Sequence, residues 1–335
     1  ITVVDIPPAY CQQWLRELNR LPEFARNNEL KLVIVGGEIM SPEILSLWQQ
    51  TPLNSIRLIN AYGPTETTIT TTSFEITDHF EEKKDVHRIP IGRPLANRTA
   101  YILDAFKKPV PIGVPGELHV GGSGLARGYL NNPDLTRERF INNPFSEEAN
   151  SRLYKTGDLA CWLPDGNIEF LGRVDDQVKI RGFRIEPGEI EVVLERNPYI
   201  RESAVIVNET AKEEKHLVAY VVMLEGYDLQ NTELRQFLKE RLPDYMIPSF
   251  FVEMDLLPVT PGGKVDRKAL PAPDKNGNNI RKGYLAPRTI LEMQITKIWE
   301  DIMEQHPIGV RDNFFELGGH SLMAVRLVTQ IEEKK

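Results

Sequence analysis

The sequence has few cysteines, no long apolar run and no surplus of positive charge. Its two cysteines, Cys11 and Cys161, are too few for a disulfide framework, so the cytoplasm is the expected location. Neither has a histidine or cysteine nearby at metal-binding spacing, and both are expected to be packing residues. The net charge of −8, from 40 basic and 48 acidic residues, disfavours a protein that binds nucleic acid through a broad basic surface.

The apolar segments are short. The run Leu217–Leu224 is far shorter than the roughly 20 residues of a membrane-spanning helix, so no membrane partner is expected. The first residues lack the basic and apolar pattern of a signal segment. The chain opens on Ile1 instead of methionine and stops at Lys335 inside a helical pattern, which predicts a piece of a longer protein. Its 335 residues suffice for two or three domains.

One stretch, Asn60–Thr68, combines residue types that suit a nucleotide site. The ring of Tyr62 can pack on a base, and Gly63 and Pro64 favour a turn with little side-chain bulk. Backbone amides and threonine hydroxyls can hold phosphate oxygens, while Glu66 can share a divalent cation with them. The alternative is a threonine-rich surface loop behind a buried strand.

The first 100 residues alternate predicted strands and helices. Strands are predicted at 1–6, 32–35 and 56–59, and helices at 11–21 and 41–50. This order predicts an α/β fold with a mostly parallel sheet, in which ligands bind beyond the carboxyl ends of the strands. Three loops share that position: the one after Asp5, Gly36–Glu38 and Asn60–Thr68. Their convergence favours the nucleotide site over the surface loop.

Residues 101–174 predict a small antiparallel β unit, with strands at 100–103, 117–120 and 168–171. The glycine-dense run Gly116–Tyr129 matches neither a P-loop nor a dinucleotide fingerprint, so tight turns explain it better. His119 in that run is expected to be a strand residue. After a predicted Thr-Gly turn, Asp158 can accept both hydroxyls of a ribose. The alternative is an ordinary aspartate in a turn.

A small α+β domain is predicted behind the junction of Arg173 and Asp175, with helices at 189–196 and 232–242 and strands at 203–207 and 217–224. Glycines precede Lys264 in the sequence Pro-Gly-Gly-Lys. They allow a loop that presents an ammonium group deep in another domain, where it can bind a phosphate and a carboxylate oxygen at once. The alternative is a solvated basic turn.

The last segment predicts helices behind a polar linker. One helix is expected after Thr289, and Ser321 stands at the start of another, behind Gly-Gly-His. A nucleophile elbow is excluded because Gly-x-Ser-x-Gly is absent. Considered without its neighbours, Ser321 is best explained as a helix N-cap.

Taken together, these motifs resemble one family. Asn60–Glu66 is similar to the nucleotide loop of the adenylate-forming enzymes, specifically the adenylation domains of nonribosomal peptide synthetases. Tyr154–Asp158 and Pro261–Lys268 support the resemblance, although Gly262 stands where an asparagine is common. Gly318–Leu322 resembles the modification site of peptidyl carrier proteins. The resemblance covers nearly the whole chain.

The resemblance implies that the chain binds ATP with Mg²⁺. The implied ATP contacts are Asn60, Tyr62, Thr65, Glu66, Gly37, Glu38, Asp158, Phe170 and Arg173. Among them, Tyr62 would stack on adenine, Glu66 would help to hold Mg²⁺ and Asp158 would hold the ribose, with Arg173 on ribose or phosphate. Thr65 would contact phosphate. Phe170 stands where a tyrosine is frequent, so any hydroxyl contact at that position would be missing.

Catalysis and transfer are also implied by the resemblance. Lys264 would stabilise the charge that develops as an acyl carboxylate attacks the α-phosphorus. Asp175 would be a hinge on which the small domain rotates between adenylate and thioester formation. Gly182 would then approach the acyl site, because only glycine lets the backbone come so close. Ser321 would carry a covalent phosphopantetheine arm whose thiol receives the acyl group.

The acyl pocket implied by matching position is lined by Asp5, Ile34, Gly36, Ala61, Ile69 and Thr70. Gly36 and Ala61 leave room for a long side chain, and Asp5 could pair with a cationic end such as that of arginine, lysine or ornithine. The alternative is that Asp5 only orders the strand end before Pro7.

The implied organisation is an adenylation core at 1–174, a lid at 175–272, a linker at 273–285 and an incomplete all-α carrier at 286–335. The implied partners are an amino acid or other carboxylic acid, an upstream part of the same adenylation domain, a phosphopantetheinyl transferase and a neighbouring condensation domain. The family's phosphate loop and the aspartate that pairs with an amino acid's ammonium group belong upstream of Ile1. Two alternatives stay open: a stand-alone acyl ligase, and a non-catalytic docking fragment around the carrier.

Overall fold

The computed structural model describes residues 1–20, 29–76, 88–175, 177–180, 182–209, 215–227, 229–260, 264–272, 284–303, 305–314, 317, 319 and 321–333. The chain forms two compact units, Ile1–Arg184 and Ile185–Lys335. Within the described ranges, no helix is both long enough and apolar enough to cross a membrane.

The first unit begins with a five-stranded sheet flanked by helices. Its elements are β1 (Val3–Ile6), α1 (Pro8–Arg20), β2 (Leu32–Gly36), α2 (Pro42–Gln49), β3 (Arg57–Tyr62), β4 (Thr72–Ile76) and β5 (Arg93–Pro94). The strands lie in the order β1-β2-β3-β4-β5. Parallel pairing joins β1 to β2 and β2 to β3, while β4 and β5 add antiparallel strands at one edge. The three predicted strands therefore form the parallel part of the sheet.

The apolar sequence of β2 explains why both helices pack on one face of this sheet. Val33 and Val35 are fully buried against Cys11 and Leu15 of α1 and Trp48 of α2. Because strand side chains alternate between faces, Ile34 and Gly36 point to the other face. The helix α2 starts with Ser41 at its N-cap position and a proline in its first turn, although the serine side chain makes no capping hydrogen bond.

The second sheet of this unit is antiparallel. Its elements are β6 (Arg98–Leu103), β7 (Gly116–Gly122), α3 (Pro133–Arg139), β8 (Phe140–Asn142), β9 (Arg152–Trp162) and β10 (Ile168–Arg173). The order is β10-β9-β7-β6, with β8 also paired to β9. His119 lies buried in β7, as expected of a strand residue.

The expectation of a Thr-Gly turn before Asp158 was wrong. Residues 156–158 lie inside the 11-residue strand β9. The register of β7 with β9 shifts between Glu117 and His119, and Gly157 has φ +73°, so the segment is a bulge within a strand. A bulge re-aims the side chains beside it, here those of Thr156 and Asp158 on either side of the glycine.

A short two-stranded sheet ends the first unit. It consists of β11 (Val178–Ile180) and β12 (Phe183–Ile185). The division between the two units falls inside β12, after Arg184. The domain bounds at 174 and 175 stay a prediction.

The second unit opens with the predicted α+β arrangement. Its elements are α4 (Pro187–Leu194), β13 (Ile200–Glu209), β14 (Lys215–Met223), α5 (Asn231–Lys239) and β15 (Phe250–Glu253). The strand β14 is central, antiparallel to β13 and parallel to β15. Its residues Leu217–Val222 are all buried, because both faces of a central strand are covered.

Two helices end the chain, α6 (Ile290–Met303) and α7 (Ser321–Glu333). A small apolar cluster in this region contains Met303, Ile308 and Leu317. The predicted linker lies largely outside the described residues, as do Gly318 and His320 of the predicted modification motif. The predicted classes are confirmed: an α/β core with a β unit, an α+β domain and a helical C-terminal region.

Candidate active site

The predicted nucleotide loop folds back on the end of β3. A 3₁₀ turn covers Thr65–Thr67, and the amide of Thr71 then donates to the carbonyl of Tyr62 at 2.7 Å. The fold-back brings the carbonyl of Ile69 so close to Gly63 that an added Cβ would lie 2.1 Å from it. Glycine is therefore required at position 63 by a close approach of two backbone segments.

The end of this loop has an unusual backbone. Thr68 and Ile69 have φ values of +59° and +62°, the left-handed region that β-branched residues rarely adopt. The hydroxyl of Thr68 donates to the carbonyl of Gly124 at 2.7 Å and helps to hold this conformation. Backbone outliers of this kind concentrate at functional sites, and Ile69 is 73% exposed at the predicted acyl pocket.

Asp158 lies at the centre of a chain of polar contacts. The phenol of Tyr62 donates to its Oδ2, and Nη1 of Arg173 donates to its Oδ1 at 2.6 Å. Arg173 also binds Asp175 with two hydrogen bonds, of 2.6 and 2.8 Å. A Cβ on Gly157 would lie within 3 Å of this Arg173–Asp175 pair, which explains the glycine in the bulge. The structure thus brings the predicted base, ribose and hinge residues into one network.

Burial dominates the electrostatics of this network. Tyr62 is 8% exposed and Asp158 is 3% exposed. Burial, followed by the charge and hydrogen bond of Asp158, raises the pKa of Tyr62 well above its ordinary value. Burial also raises the pKa of Asp158, against the opposing charge of Arg173 and the hydrogen bond from Tyr62. The tyrosine is therefore a neutral donor to the carboxylate.

Two further side chains surround the ring of Tyr62. The ring of Phe170 lies 6.4 Å away between centroids, tilted by 38°. The ammonium of Lys179 lies 5.8 Å from the Tyr62 ring centroid. Burial lowers the pKa of Lys179, although the charge of Asp158 opposes the shift. Tyr62 and Phe170 thus form the aromatic pair expected beside an adenine, with a cation at its margin.

Glu66 is enclosed by hydrogen-bond donors. The phenol of Tyr129 donates to Oε1 at 2.6 Å, and Nη1 of Arg184 lies 2.9 Å from Oε1 and 2.7 Å from Oε2. Burial alone would raise the pKa of Glu66, but the hydrogen bond from Tyr129 and the charge of Arg184 hold it below its ordinary value. Glu66 is therefore an ionised carboxylate whose charge is balanced by Arg184.

This environment does not fit the predicted Mg²⁺ ligand. Among the described residues, no three histidine, cysteine, aspartate or glutamate side chains are grouped to hold a metal ion. Glu66 is a single carboxylate, and the guanidinium of Arg184 lies within 3 Å of both its oxygens. A divalent cation at the same oxygens would face a permanent positive charge.

The other predicted nucleotide residues lie in β3 or just after β2 and β3, which are inner strands of the first sheet. Asn60 is buried and donates to the carbonyl of Pro90 at 2.7 Å, while Thr65 is exposed in the 3₁₀ turn. Gly37 has φ +91° behind the end of β2. Glu38 accepts a short hydrogen bond from the amide of Gly182.

Gly182 lies against the residues that follow β1 and β2, and its expected role in thioester formation stays a prediction. An added Cβ at this position would lie 3.1 Å from Pro7, and one on Gly37 would lie 3.8 Å from the Cα of Gly182. The positive φ of Gly182, +83°, independently requires glycine there.

Four residues of the predicted acyl pocket share one face of the parallel sheet. Asp5 pairs with Ile34, and Gly36 pairs with Ala61, so all four point away from α1 and α2. Asp5 is exposed. A Cβ on Gly36 would lie 2.7 Å from the carbonyl of Ala61, so the strands themselves require this glycine. Ile69 and Thr70 follow in the folded-back loop.

Lys264 and Ser321 belong to the second unit. Lys264 is exposed, and its carbonyl accepts from the amide of Thr260 at 2.7 Å. Residues 261–263 lie outside the described ranges. Ser321 is the first residue of α7, whose Met323 and Leu327 are buried.

Sequence reasoning missed three side chains of the site. Tyr129 was assigned to a run of structural turns, and Lys179 and Arg184 received no role. Arg184 contacts Glu66 across 118 positions and Tyr129 does so across 63, distances at which no local pattern reports a contact. The available signals were the hydroxyl of Tyr129 next to Gly128, and the charges of Lys179 and Arg184 within three positions of Gly182.

Comparison with known families matches three parts of the chain. An AMP-binding enzyme domain matches residues 1–130, an AMP-binding enzyme C-terminal domain matches 189–264, and a phosphopantetheine attachment site matches 294–334. These matches confirm the expected order of adenylation core, lid and carrier. Lys264 is the last residue of the second match.

Individual synthases are also similar to this chain. Tyrocidine synthase 3 of Brevibacillus parabrevis is 47% identical over 306 residues, 91% of this chain and 4% of that protein. Gramicidin S synthase 2 of Brevibacillus brevis is 45% identical over 306 residues, 91% of this chain and 7% of that protein. The chain therefore spans less than a tenth of the length of these two relatives.

Solved structures share the fold. Holo-PA1221, a nonribosomal peptide synthetase protein with adenylation and carrier domains bound to a vinylsulfonamide inhibitor, is similar with a TM-score of 0.76 and 27% identity. That similarity covers 99% of this chain and 52% of PA1221. IdnL1 is similar with a TM-score of 0.64 and 28% identity, over 77% of this chain and 51% of that one.

Proposed function

Because the chain belongs to the AMP-binding enzymes and carries a phosphopantetheine attachment site near its end, we propose that it activates an amino acid, or a related carboxylic acid, with ATP. In the first step a carboxylate oxygen of the acid bonds to the α-phosphorus, and pyrophosphate leaves with the electron pair of the broken P–O bond. In the second step a thiolate bonds to the acyl carbon, and AMP leaves. The phosphopantetheine arm on Ser321 supplies the thiol.

The contact of Asp158 with Tyr62 and Arg173 carries this proposal. A buried carboxylate fixed beside an aromatic pair suits a nucleoside, because its oxygens keep lone pairs for the two ribose hydroxyls while the rings accept the base. The guanidinium of Arg173 adds a positive charge for ribose or phosphate oxygens. Asn60, Gly37 and Glu38 would frame the same nucleotide.

Lys264 and Thr65 would act on the reacting phosphate. An exposed lysine behind two glycines can approach the α-phosphate and the attacking carboxylate together, and its charge would stabilise the transition state. Thr65, exposed at the start of the 3₁₀ turn, would donate its hydroxyl to a phosphate oxygen. Mg²⁺ is expected to accompany the nucleotide, but no step is assigned to it because Glu66 is paired with Arg184.

The acyl group would lie on the sheet face that carries Asp5 and Ile34. An exposed carboxylate at the end of β1 suits a substrate with a cationic end, such as arginine, lysine or ornithine. The proposed partners are an upstream part of the same adenylation domain, a phosphopantetheinyl transferase and a neighbouring condensation domain.

The reaction can be tested on the intact protein by two assays. ATP–pyrophosphate exchange across amino acids should show activity with one substrate class. After treatment with a phosphopantetheinyl transferase and coenzyme A, intact-mass spectrometry should show one added arm, which then accepts the activated acid. Ser321→Ala should abolish the arm and leave exchange unchanged.

Ser41→Ala is the matched control, because Ser41 also stands at the start of a helix and its hydroxyl makes no capping bond. It should keep the arm. Modification that persists in Ser321→Ala would refute the carrier assignment. Absence of exchange with every acid would favour a docking fragment, and exchange without any arm would favour a stand-alone ligase. We also expect the segment 1–335 by itself to show little exchange, and full exchange would contradict the need for an upstream part.

A further inference from the structure

Two buried threonines connect the start and the end of the folded-back loop, residues 63–71. Thr67 is the last residue of the 3₁₀ turn, and Thr71 directly precedes β4. Both residues are 0% exposed, and their hydroxyl oxygens lie 2.6 Å apart. Because both are buried, neither hydroxyl can contact a ligand directly. Their contact is therefore internal to the loop.

A third group determines the direction of the hydrogen bonds. The hydroxyl of Thr67 donates to the carbonyl of Pro64 at 2.9 Å. Since a hydroxyl has a single hydrogen, Thr67 must accept from Thr71 in the contact between the two. Thr71 thus donates to Thr67, which donates to the carbonyl of Pro64, and this arrangement is called the hydroxyl chain below. A buried hydroxyl without its partner is costly, so each threonine depends on the other.

The hydroxyl chain spans the strained part of the loop. Thr68 and Ile69, which lie between its two threonines, have φ values of +59° and +62°. Such conformations persist only where the surrounding structure holds them. The hydroxyl of Thr68 provides one restraint through the carbonyl of Gly124. The hydroxyl chain provides a second, because it fixes the distance across the two strained residues.

The same loop presents groups to both proposed substrates. Thr65, two positions before Thr67, is the proposed phosphate contact. Ile69 and Thr70, directly before Thr71, are expected to line the acyl pocket. Attack of a carboxylate on the α-phosphorus requires the two substrates to be aligned, and a displacement of about 1 Å can cost about 10²-fold in rate. The spacing between the two sides of this loop therefore matters for the reaction.

We propose that Thr67 and Thr71 are positioning residues, whose hydroxyl chain holds the phosphate side of the loop in register with its acyl side. Thr67 acts through Thr65, and Thr71 acts through Thr70. Loss of either hydroxyl disturbs both sides, although the two threonines stand at opposite ends of the strained segment. The inference rests on the proposed function, because it concerns the alignment of ATP with the acid.

Michaelis constants in ATP–pyrophosphate exchange on the intact protein test this link. Thr67→Val and Thr71→Val each remove one hydroxyl and nearly keep the shape of the side chain. Each should raise the Michaelis constants for both ATP and the acid by at least about 3-fold. If the two ends were independent, Thr67→Val would affect only ATP and Thr71→Val only the acid. Michaelis constants do not depend on the fraction of enzyme that is folded, so they separate positioning from lost stability.

The double variant Thr67→Val plus Thr71→Val tests whether the two hydroxyls act as one unit. It removes both members of the contact, so neither hydroxyl is left without its partner. Its Michaelis constants should therefore match those of the worse single variant and should not reach the product of the two effects. Thr67→Ser and Thr71→Ser keep the hydroxyl and should stay near wild type.

Thr72→Val is the matched control. Thr72 is adjacent to Thr71 and equally buried, but its hydroxyl donates outside the loop, to the carbonyl of Ile91 at 2.6 Å. The variant loses a buried hydrogen bond of the same kind. It should lower the free energy of unfolding and leave both Michaelis constants unchanged. An equal rise of the constants in Thr72→Val would assign the effect to general loss of packing and would overturn the proposal.

Three other results would overturn it: unchanged constants in both single variants, an effect of each variant on one substrate alone, or multiplied effects in the double variant. If a single valine variant does not fold, the double variant replaces it, because it leaves no hydroxyl of the pair unpaired. Both Michaelis constants should still rise there, and wild-type constants would count against the hydroxyl chain.

Failure of the proposed function is a separate result. If the wild type shows no exchange with any acid, the ATP-dependent activity is wrong. Hydrogen–deuterium exchange of the peptide that spans residues 63–71 then still decides whether the hydroxyl chain holds the loop. Exchange should be at least about 3-fold faster in Thr67→Val than in wild type, and unchanged in Thr72→Val. Equal rates in Thr67→Val and wild type would show that the hydroxyl chain does not restrain the loop.

Discussion

The phenol of Tyr62 donates a hydrogen bond to Oδ2 of Asp158, a residue 96 positions further along the chain. The other oxygen of Asp158 receives Arg173 at 2.6 Å. The proposed base-stacking ring and ribose carboxylate are thus one buried, hydrogen-bonded unit. Each carboxylate oxygen still has a second lone pair, so ribose hydroxyls can bind without displacing either donor.

Tyr62→Phe should destabilise the protein more than it weakens nucleotide binding. The substitution keeps the ring and removes the donor, which leaves buried Asp158 with one partner fewer. Losing a partner of a buried polar group costs about 1–3 kcal/mol. Urea unfolding should show this loss, while the dissociation constant of a fluorescent ATP analogue should change only a few-fold.

Tyr101→Phe is the control for that experiment. Tyr101 lies in β6 and stacks on Phe145 with centroids 4.6 Å apart, so the substitution keeps an aromatic contact of the β unit. Its unfolding free energy should stay near that of wild type. Equal stability of Tyr62→Phe and wild type would show that the Tyr62–Asp158 hydrogen bond contributes nothing to folding.

The Arg184–Glu66 pair predicts a dependence of stability on pH. The pKa of Glu66 is held below its ordinary 4.5, so the folded state binds fewer protons there than the unfolded state. The stabilisation is complete above pH 4.5 and is lost as pH falls through the lowered pKa. Arg184→Gln should cost about 2 kcal/mol at about pH 7, and the difference from wild type should shrink below about pH 4.5.

Comparison with Arg57→Gln isolates the contribution of burial. The Arg57–Glu75 pair is exposed on both side chains, and exposed pairs contribute little to stability because water screens them. Its loss should give a small difference across the same pH range. The idea fails if the two variants give matching profiles in urea unfolding. The pKa of Asp158 is shifted in the opposite direction, upward. Its contribution to the pH dependence is common to wild type and variants, so it cancels when their profiles are subtracted.

Local sequence patterns predicted much of the fold but little of the contact network. The alternation of apolar strands and helices located β1, α1, β2, α2 and β3 to within a few residues. The strand β9 was missed because glycine usually weakens or ends a strand. Gly157 instead forms a bulge within β9, with φ +73°. The strand β4, Thr72–Ile76, was missed because it directly follows a threonine-rich loop and the sequence marks no clear boundary between the two.

The site was predicted as separate motifs, and the structure supplies their connections. Tyr62, Asp158 and Arg173 were each named for a nucleotide, yet nothing in their spacing indicated that they bind one another. The Glu66–Arg184 pair was missed for the same reason. The two residues are 118 positions apart in the sequence, and only the folded chain brings them together. Long-range ion pairs depend on the assembled fold, so a single sequence does not report them.

Lys264→Ala should separate the two proposed half-reactions. Loss of one group that stabilises transition-state charge costs about 10²–10³-fold in rate, so ATP–pyrophosphate exchange should fall by that factor. Transfer of the acyl group from a supplied acyl-adenylate to the carrier thiol should continue. Lys268→Ala is the matched control, four positions away and also exposed, and it should retain exchange. Equal losses in both variants would assign the effect to general charge instead of Lys264.

Asp5→Ala tests the proposed preference for a cationic substrate. Asp5 pairs in register with Ile34 and lies on the sheet face turned away from α1 and α2. If its carboxylate receives the cationic end of the substrate, exchange with arginine, lysine or ornithine should fall about 10- to 100-fold, the equivalent of one charged hydrogen bond. Asp5→Asn, which keeps the shape, should lose nearly as much because the charge is gone.

Exchange with uncharged amino acids provides the internal reference, because a merely structural Asp5 would affect all substrates alike. Glu29→Ala is the matched control. It removes an exposed carboxylate before β2, at the opposite end of the parallel strands from Asp5. It should leave the ratio between basic and uncharged substrates unchanged. A uniform loss across the panel in Asp5→Ala would mean that the carboxylate orders the end of β1 before Pro7 and does not select the substrate.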